Sequence, residues 1–458
     1  MSNDLAFATV TELARLLRAR KISSLELTRF FLDRLEKFGA RYNALAELTR
    51  EIAMQQARRA DRIGRPQGSP LRGIPYGAKD LLATKNIPTR WGSPAHRDQV
   101  FDYDATAITK MRDAGAVLIG KLALVELAGG GGYEFASASV HGAGLNPWNP
   151  NHWSGGSSSG SGSAVAAGLV PFALGSETWG SIMSPSGYCG VTGLRPTWGL
   201  VSRAGAMELA WTMDKIGPMA RSAEDCGWIL QAIAGRDEND PTTARDFHFH
   251  ARIARRDYRV GILPIDFSEQ PELEKRFNDA LRVLKKAGIK FTRVALPDLP
   301  YVETATTILN AETLATHEEL IKSEKFDLLV DASQKENLRK SLQMTPGEYA
   351  RALRRRVEIA RALSPLFQQF DAFVAPTQMS EAITLDTSLK KLARKRGNWS
   401  VLGALCGLPA LSVPMGFGKH GLPFGLCFTG NLFDENTILQ LGMIYQHETN
   451  WHRQHPTP

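Results

Sequence analysis

The segment that most constrains the fold of this chain is residues 155–181, which reads GGSSSGSGSAVAAGLVPFALGSETWGS. Its glycines and serines flank an apolar run, residues 164–174, that is typical of a packed core and not of a flexible linker. Core segments joined by Gly and Ser indicate close backbone packing, with N–H groups left free to bind a ligand. Two serines stand out, Ser157 near the start and Ser181 at the end. The segment therefore predicts a folded, functional region.

The composition is typical of a soluble globular enzyme. Hydrophobic residues make up 43% and charged residues 22% of the 458 residues, and no apolar run reaches the length of about 18 residues that predicts a membrane-spanning helix. The N-terminal residues lack the apolar core of a signal peptide. Four widely spaced cysteines without a ligand pattern indicate reduced, buried thiols, so a cytoplasmic protein is expected.

A net charge of +8 raises the question of an anionic partner. The basic residues are scattered along the chain. The two densest clusters, residues 354–356 and 390–396, lack the interleaved aromatic side chains that are typical of single-strand nucleic-acid binders. Solvated helix faces are favoured for both clusters. We therefore predict neither a nucleic-acid partner nor a membrane partner.

The order of the predicted elements indicates an α/β protein. Thr9 with Glu12, and Ser23 with Glu26, form capping-box patterns that predict the starts of two N-terminal helices. Further elements are expected as strands at residues 78–82, 116–119, 169–174, 258–263, 289–294, 370–376 and 411–414, and as helices at residues 105–114, 158–168 and 271–288. Length alone would suggest about three domains of ~150 residues. Because no linker interrupts the chain, we predict one domain over residues 1–458.

Six segments together carry a resemblance to a known family. They are residues 74–80, 155–160, 176–181, 187–197, 214–222 and 407–414. Several motifs in a fixed order are far more specific than one glycine pattern, and with them the chain resembles the amidase signature family of serine hydrolases over nearly its whole length. The match is weakest at residues 240–395, where a variable, mainly helical excursion is expected. The resemblance implies a large mixed, twisted β-sheet covered by helices on both faces.

The resemblance also implies the catalytic residues. It places the nucleophile at Ser181, a bridging serine after a cis peptide bond at Ser157, and the catalytic lysine at Lys79; Ser158 and Ser159 are neighbouring alternatives to Ser157. Ser181 would attack a carbonyl carbon, and its proton would pass through Ser157 to a neutral Lys79. The expected oxyanion hole consists of the backbone N–H groups of Thr178, Trp179, Gly180 and Ser181. Such a relay requires no metal ion and no organic cofactor.

The residues themselves leave the identity of the base open. A serine nucleophile needs a base that removes its proton, and histidine is the usual choice. None of the ten histidines has a triad-like context, but His141 and His152 flank the glycine-rich segment and remain alternatives. A lysine can serve when burial lowers its pKa. Lys79 follows a turn at the expected edge of the core, with Asp80 directed to the opposite face, yet an ordinary surface lysine fits these residues equally well.

Three positions depart from the family's pattern. Glu177 stands where the family usually has Asp, Trp179 where it has Gly, and Met183 where it has Arg. Because that Asp and Arg commonly form a charge pair, Glu177 needs another cation, and Arg195 is one candidate. Trp179 lies inside the expected oxyanion loop, where Gly allows backbone angles that Trp does not. Its side chain must enter the core or cover the acyl pocket.

Aromatic residues near the site are candidates for the wall of the substrate pocket. Tyr133 and Phe135 follow four consecutive glycines, residues 129–132, where the family carries a substrate-facing loop. Trp211 lies in a segment that often lines the site in the family. Because aromatic side chains are more often part of the core, core packing remains the alternative for each of them.

The resemblance predicts a hydrolase that cleaves the C–N bond of a carboxamide through an acyl-enzyme on Ser181, with esters, anilides and carbamates as further substrate classes. An alternative is the glutamine-hydrolysing A subunit of a tRNA-dependent amidotransferase, which belongs to the same family; Trp179 and Met183 argue against it. A catalytically inactive binding protein is disfavoured because all three implied catalytic residues are present. We expect a small-molecule amide as the partner, and a monomer or homodimer as the assembly.

Overall fold

One large sheet is the central feature of the fold. The structure, a computed structural model, describes residues 3–63, 69–390 and 401–457. Its strands, numbered in chain order, are β1 (Leu45–Leu48), β2 (Pro75–Lys79), β3 (Val117–Leu122), β4 (Leu145–Asn146), β5 (Asn149–Trp153), β6 (Ala173–Glu177), β7 (Thr192–Arg195), β8 (Lys215–Ala220), β9 (Arg259–Ile262), β10 (Lys290–Arg293), β11 (Ala372–Pro376), β12 (Ala410–Phe417) and β13 (Pro423–Gly430). Eleven of the described strands form a mixed sheet in the order β1-β3-β2-β6-β8-β7-β12-β13-β11-β9-β10, and β4 pairs with β5 separately. The predicted α/β fold is therefore confirmed.

Helices flank this sheet. They are α1 (Val10–Arg18), α2 (Ser24–Phe38), α3 (Arg50–Ile63), α4 (Thr106–Asp113), α5 (Ser159–Ala166), α6 (Met183–Cys189), α7 (Ala223–Ile233), α8 (Pro271–Lys286), α9 (Tyr301–Ile321), α10 (Ala332–Ser341), α11 (Pro346–Leu363), α12 (Leu366–Gln369), α13 (Leu402–Cys406) and α14 (Glu435–Glu448). The capping boxes predicted at Thr9 with Glu12 and at Ser23 with Glu26 are both confirmed at the starts of α1 and α2. In the part of the chain that the structure describes, no helix is both long and apolar enough to cross a membrane.

Strand β2 positions the first candidate side chain. It lies between β3 and β6, runs parallel to both, and is buried along its whole length. The strand ends at Lys79 because a turn follows, in which the Leu82 N–H donates to the Lys79 carbonyl. The strand predicted at residues 78–82 was therefore placed too late in the chain.

The strand predicted at residues 169–174 also begins elsewhere. The ladder of β6 starts only at Ala173, after Pro171, which lacks the N–H group that a central strand needs. The other predicted strands and helices are present, with ends shifted by a few residues. One such shift adds a buried charged residue to the sheet, since β3 continues to Leu122 and thereby includes Lys121.

The small residues of α5 allow the helix to approach its neighbours closely. A Cβ atom at Gly160 would lie 2.5 Å from the carbonyl oxygen of Ala44 and 2.6 Å from the backbone nitrogen of Ala123. Every residue of α5 is buried. The glycine and serine content of this segment thus serves close backbone packing, as the sequence predicted.

The described part of residues 240–395 contributes helices and one end of the sheet. Helices α8 to α12 lie in this region, together with β9, β10 and β11, which occupy the last three places in the strand order. The region therefore shares the central sheet with the rest of the chain.

The structure describes the first basic cluster in full and only the first residue of the second. Residues 354–356 lie on α11, where Arg355 forms an ion pair with Glu303. In the second cluster, Lys390 also forms an ion pair, whereas residues 391–396 lie outside the described residues.

Candidate active site

Lys79 is buried at the carboxyl end of β2 with its side-chain amine among serines. Its exposed fraction is 0%, and Nζ donates to Ser157 Oγ at 2.8 Å and to Ser176 Oγ at 2.9 Å. Burial lowers the pKa of Lys79 to about 7, even though the negative charges of Asp214 and Glu177 act in the opposite direction. A substantial fraction of this amine is therefore neutral near neutral pH and able to accept a proton.

Ser157 is the candidate for the bridging position between the lysine and the cavity serine. The peptide bond between Gly156 and Ser157 is cis, as the family resemblance predicted, and Ser157 is 1% exposed. The neighbouring Ser158 has another role, because its Oγ donates to the carbonyl of Ser176 at 3.1 Å and its N–H donates to the carbonyl of Ser181 at 3.2 Å. Ser158 thus ties the two serine segments together, and Ser157 is the serine in contact with the lysine.

Ser181 lies on the wall of a cavity of about 410 Å³. Gly156, directly before the cis bond, lines the same cavity, whereas Ser157 and Lys79 are not among the described lining residues. The three residues are therefore layered from the cavity inwards, with one serine accessible to a ligand and the other two groups shielded from water. A cavity of this size is within the range of about 300–1,000 Å³ that accommodates small-molecule ligands.

The loop before Ser181 presents backbone N–H groups. Among the residues that the structure describes, none accepts a hydrogen bond from the backbone N–H groups of residues 178–181. Thr178 is held by its hydroxyl, which donates to the Asp214 carboxylate. Gly180 adopts a φ of +86°, whereas Trp179 has no positive φ. The residue in the left-handed conformation is thus a glycine, and the tryptophan next to it is compatible with the loop.

Glu177 fixes the chain on the other side of Ser181. Its Oε2 accepts the backbone N–H groups of Ile182 and Met183, both at 2.8 Å, and its Oε1 accepts from Arg195 Nη1 at 2.7 Å. Burial raises the pKa of this carboxyl, but the Arg195 charge and the backbone hydrogen bonds outweigh burial and lower it overall. Arg195, the cation suggested by the sequence, therefore takes the place of the arginine that the family usually has at position 183.

Comparison with known proteins decides the family. The model of the Amidase family matches residues 26–439. The chain belongs to the amidase signature family. A glutamyl-tRNA(Gln) amidotransferase A subunit from Dehalococcoides mccartyi (strain CBDB1) is 33% identical to this amidase, with 99% of each chain covered. A relative with the same description from Roseiflexus castenholzii (strain DSM 13941 / HLO8) is 35% identical, with 98% of this chain and 97% of the relative covered.

Solved structures are also similar to this amidase. The native peptide amidase from Stenotrophomonas maltophilia is 32% identical, with a TM-score of 0.86 and 98% of each chain covered. A bacterial aryl acylamidase of the amidase signature family has a TM-score of 0.87 over 98% of each chain, and its 22% identity shows the fold alone. The family and these neighbours identify the chain as an amidohydrolase with the amidase signature fold.

The structure brings one of the three predicted pocket residues to the cavity. Tyr133 lines it, whereas Phe135 and Trp211 are not among the described lining residues. Phe135 is 40% exposed to solvent, and Glu134 before it accepts hydrogen bonds from Ser333 and Lys390. The expectation that Phe135 and Trp211 line the pocket is therefore not met. Trp179 does line the cavity, and it also packs against a cluster of buried apolar residues that includes Met213 and Leu405.

Several residues around the site were missed by sequence reasoning. Ser176 contacts Lys79, Asp214 holds Thr178, and Gln378 lines the cavity. Each of them lies far in sequence from its partner or, like Ser176, is one of many serines, so no local pattern distinguished it. The histidines weighed as alternative bases are not supported, since neither His141 nor His152 is among the described lining residues.

Proposed function

We propose that this amidase hydrolyses the C–N bond of an uncharged carboxamide through an acyl-enzyme on Ser181. The buried 2.8 Å contact between Lys79 Nζ and Ser157 Oγ carries the proposal. With a pKa of about 7, Lys79 has the strength that general-base catalysis near neutral pH needs. A cavity serine backed by a second serine and a neutral amine can be activated without a histidine.

In the acylation step, Ser181 Oγ attacks the carbonyl carbon and its proton passes to Ser157 Oγ. The proton that Ser157 held moves to the amine of Lys79, which becomes an ammonium. When the C–N bond breaks, the departing nitrogen takes a proton back along the same path. Lys79 is then neutral again, and an ester links the acyl group to Ser181.

In the deacylation step, water attacks the ester carbonyl and gives its proton to the same relay. Ser181 Oγ recovers a proton as the carboxylic acid leaves, which restores the starting state. In both steps the N–H groups of residues 178–181 face the negative charge on the carbonyl oxygen, and the absence of a competing acceptor among the described residues supports this role. The same order of bond formation and bond cleavage would also hydrolyse esters, anilides and carbamates.

Fluorophosphonate labelling followed by peptide mapping tests the proposal. The probe reacts with activated serines, so we expect one label, on the peptide that contains Ser181. The variant Ser184→Ala removes another cavity serine and should still be labelled. A label on a different serine, or none under conditions where a reference serine hydrolase reacts, would contradict the assignment of the nucleophile.

The pKa of Lys79 predicts the pH dependence of the reaction. Protonated Lys79 cannot accept the proton of Ser157, so kcat/KM should rise with pH and reach half its plateau near pH 7. A second buried lysine, Lys215, also has its pKa lowered to about 7, first of all by burial. We expect the variant Lys215→Met to keep the inflection, measured with one amide substrate from pH 5.5 to 9. Loss of the inflection in that variant would assign the titration to Lys215.

Gly180 allows a test of the oxyanion loop. An alanine there would meet no atom within 4 Å, so the only penalty is its φ of +86°, which costs about 1–2 kcal/mol for a residue with a side chain. If relaxation of this angle moves the N–H groups, the labelling rate of Ser181 should fall at least about tenfold in Gly180→Ala. Gly421→Ala, at a φ of +72° and equally free of contacts, should lose similar stability and keep the labelling rate. Equal labelling rates in both variants would contradict this role of the loop.

The amidotransferase A subunit is the second candidate, because the relatives named above carry that description. Glutamine carries an ammonium and a carboxylate. Among the described residues that line the cavity, Glu177 is the one carboxylate, and both of its oxygens are engaged. An ammonium would therefore find no free counter-charge, which favours an uncharged amide. Ammonia release from glutamine at a rate above that for simple amides would support this second candidate instead.

The remaining features of the proposal concern the whole molecule. We propose a single domain that acts on a small-molecule amide as a monomer or homodimer, without nucleic acid. The four cysteines carry free thiols, which supports a reducing, cytoplasmic setting.

A further inference from the structure

Gln378 carries a buried side-chain amide on the wall of the active-site cavity. It lies two residues after the end of β11 and lines the cavity together with Ser181. Both Oε1 and Nε2 are buried, and neither has a hydrogen-bond partner among the described residues. Buried amides are normally paired, so an unpaired amide on a residue that lines a ligand cavity points to a ligand group that completes it.

The position of this amide is fixed by its surroundings. A Cβ atom at Gly187 would lie only 1.9 Å from Gln378 Oε1, so the side chain rests directly on α6, the helix that follows Ser181. The preceding residue, Thr377, is anchored to the sheet, because its N–H donates to the Gly425 carbonyl at 2.7 Å and its hydroxyl is 2.8 Å from Ser412 Oγ. The amide is therefore preorganised for binding.

A second residue of the cavity wall also carries a buried polar atom without a hydrogen-bond partner among the described residues. Trp153 lines the cavity and is 4% exposed, and its indole N–H is buried without an acceptor among the described residues. The edge of the indole ring packs against Gly156, where a Cβ atom would lie 2.8 Å from Trp153 Cζ2. The wall next to the catalytic serines thus offers one unpaired donor from Trp153, and donors and an acceptor from Gln378.

From these two side chains we infer a subsite for a second amide group of the substrate, separate from the bond that is cleaved. An amide carries one N–H donor and one carbonyl acceptor, which complement the acceptor and the donor of the Gln378 amide. The indole N–H adds a donor for a further acceptor of the ligand. A negatively charged ligand group fits less well, because the ammonium of Lys390 at the cavity rim already donates to the Glu134 carboxylate at 2.9 Å. This inference rests on the proposed function and narrows its substrates to carboxamides that contain a further amide, such as N-acylated amino acid amides.

Binding to a catalytically inactive chain tests the subsite. The probes are N-acetyl-L-leucinamide and its analogue in which the acetamido N–H and C=O are replaced by two CH₂ groups. Both are titrated into the full-length Ser181→Ala variant by calorimetry. We expect the analogue to bind about 10- to 100-fold more weakly, because it leaves the amide of Gln378 unpaired.

Two further variants in the Ser181→Ala background show whether Gln378 is responsible. Gln378→Met keeps the length of the side chain and removes the amide, so the two probes should bind with equal affinity. Asn337→Leu removes an amide that also lines the cavity but is exposed to solvent, and it should keep the preference. Equal affinities of the two probes without any change at Gln378, or a preference that survives Gln378→Met, would overturn the inference.

Stability separates a binding role from a structural one. Because the amide of Gln378 has no partner among the described residues, Gln378→Met should have a Tm equal to or above that of the parent chain, whereas a structural role predicts a lower Tm. The binding test does not depend on catalysis. If the protein discriminates between the probes but shows no fluorophosphonate label, the subsite stands and the proposed function is contradicted. If the protein is labelled but does not discriminate between the probes, the proposed function stands and the subsite is contradicted.

Discussion

Replacement of Lys79 by methionine should reduce kcat for amide hydrolysis by about 10⁴-fold or more, and the labelling of Ser181 in parallel. The expected size follows from the role of the amine, because it is the only base in contact with Ser157 among the described residues. Methionine fills similar space and brings no polar group into a site that is 0% exposed. Folding should therefore not suffer, and a Tm at or above that of the parent chain is expected.

Lys215 provides the matched control for this prediction. It is also a buried lysine, at 2% exposure, and its Nζ has no hydrogen-bond partner among the described residues. Lys215→Met should leave the labelling of Ser181 within about tenfold of the parent rate. If Lys79→Met were labelled at the parent rate while Ser181→Ala was not, Ser181 would still be the nucleophile, but another group would be its base.

Local sequence patterns predicted those parts of the fold that depend on local interactions. The capping boxes at Thr9 and Ser23 close between residues three apart, so the sequence carries the whole motif. The strand expected at residues 169–174 was placed too early in the chain. The prediction followed the apolar run, although Pro171 within it has no N–H group to donate to a strand ladder. An apolar run shows that a segment is buried and leaves open where its hydrogen-bond ladder begins.

The candidate site was predicted by resemblance more than by chemistry. From residues alone, Lys79 was equally well a surface lysine, since nothing local shows that β2 lies between two other strands. Strand alternation led us to expect Asp80 to point away from Lys79; it lies one residue beyond the end of β2, and its carboxylate contacts Lys121 at 3.1 Å. The partner itself was not predictable, because it lies on a different strand.

The pocket residues show where sequence reasoning fails. Phe135 lies only two residues from Tyr133, yet Tyr133 faces the cavity and Phe135 faces solvent. Gly129, Gly131 and Gly132 all have a positive φ, and such a run has no preferred direction of its own. Distant contacts set that direction, and they are absent from any local pattern.

The second large effect is expected at the ion pair between Glu177 and Arg195, which lies next to the segment that carries Ser181. Arg195→Met would leave the Glu177 carboxylate buried, at 0% exposure, without its counter-charge. Breaking a buried pair in this way costs about 3–5 kcal/mol of unfolding free energy, which urea denaturation measures directly. Because Glu177 also holds the N–H groups of Ile182 and Met183, the labelling of Ser181 should fall as well.

A double-mutant cycle distinguishes the pair from its separate residues. Glu177→Gln together with Arg195→Met removes both charges, so the double variant should be more stable than Arg195→Met alone. Arg50 and Glu36 are the exposed comparison, with the same 2.7 Å separation but with side chains that are 41% and 60% exposed, and Arg50→Met should cost no more than about 1 kcal/mol. An Arg195→Met variant with an equally small loss would mean that Glu177 is neutral in the folded chain. Its hydrogen bonds, and not its charge, would then position Ser181.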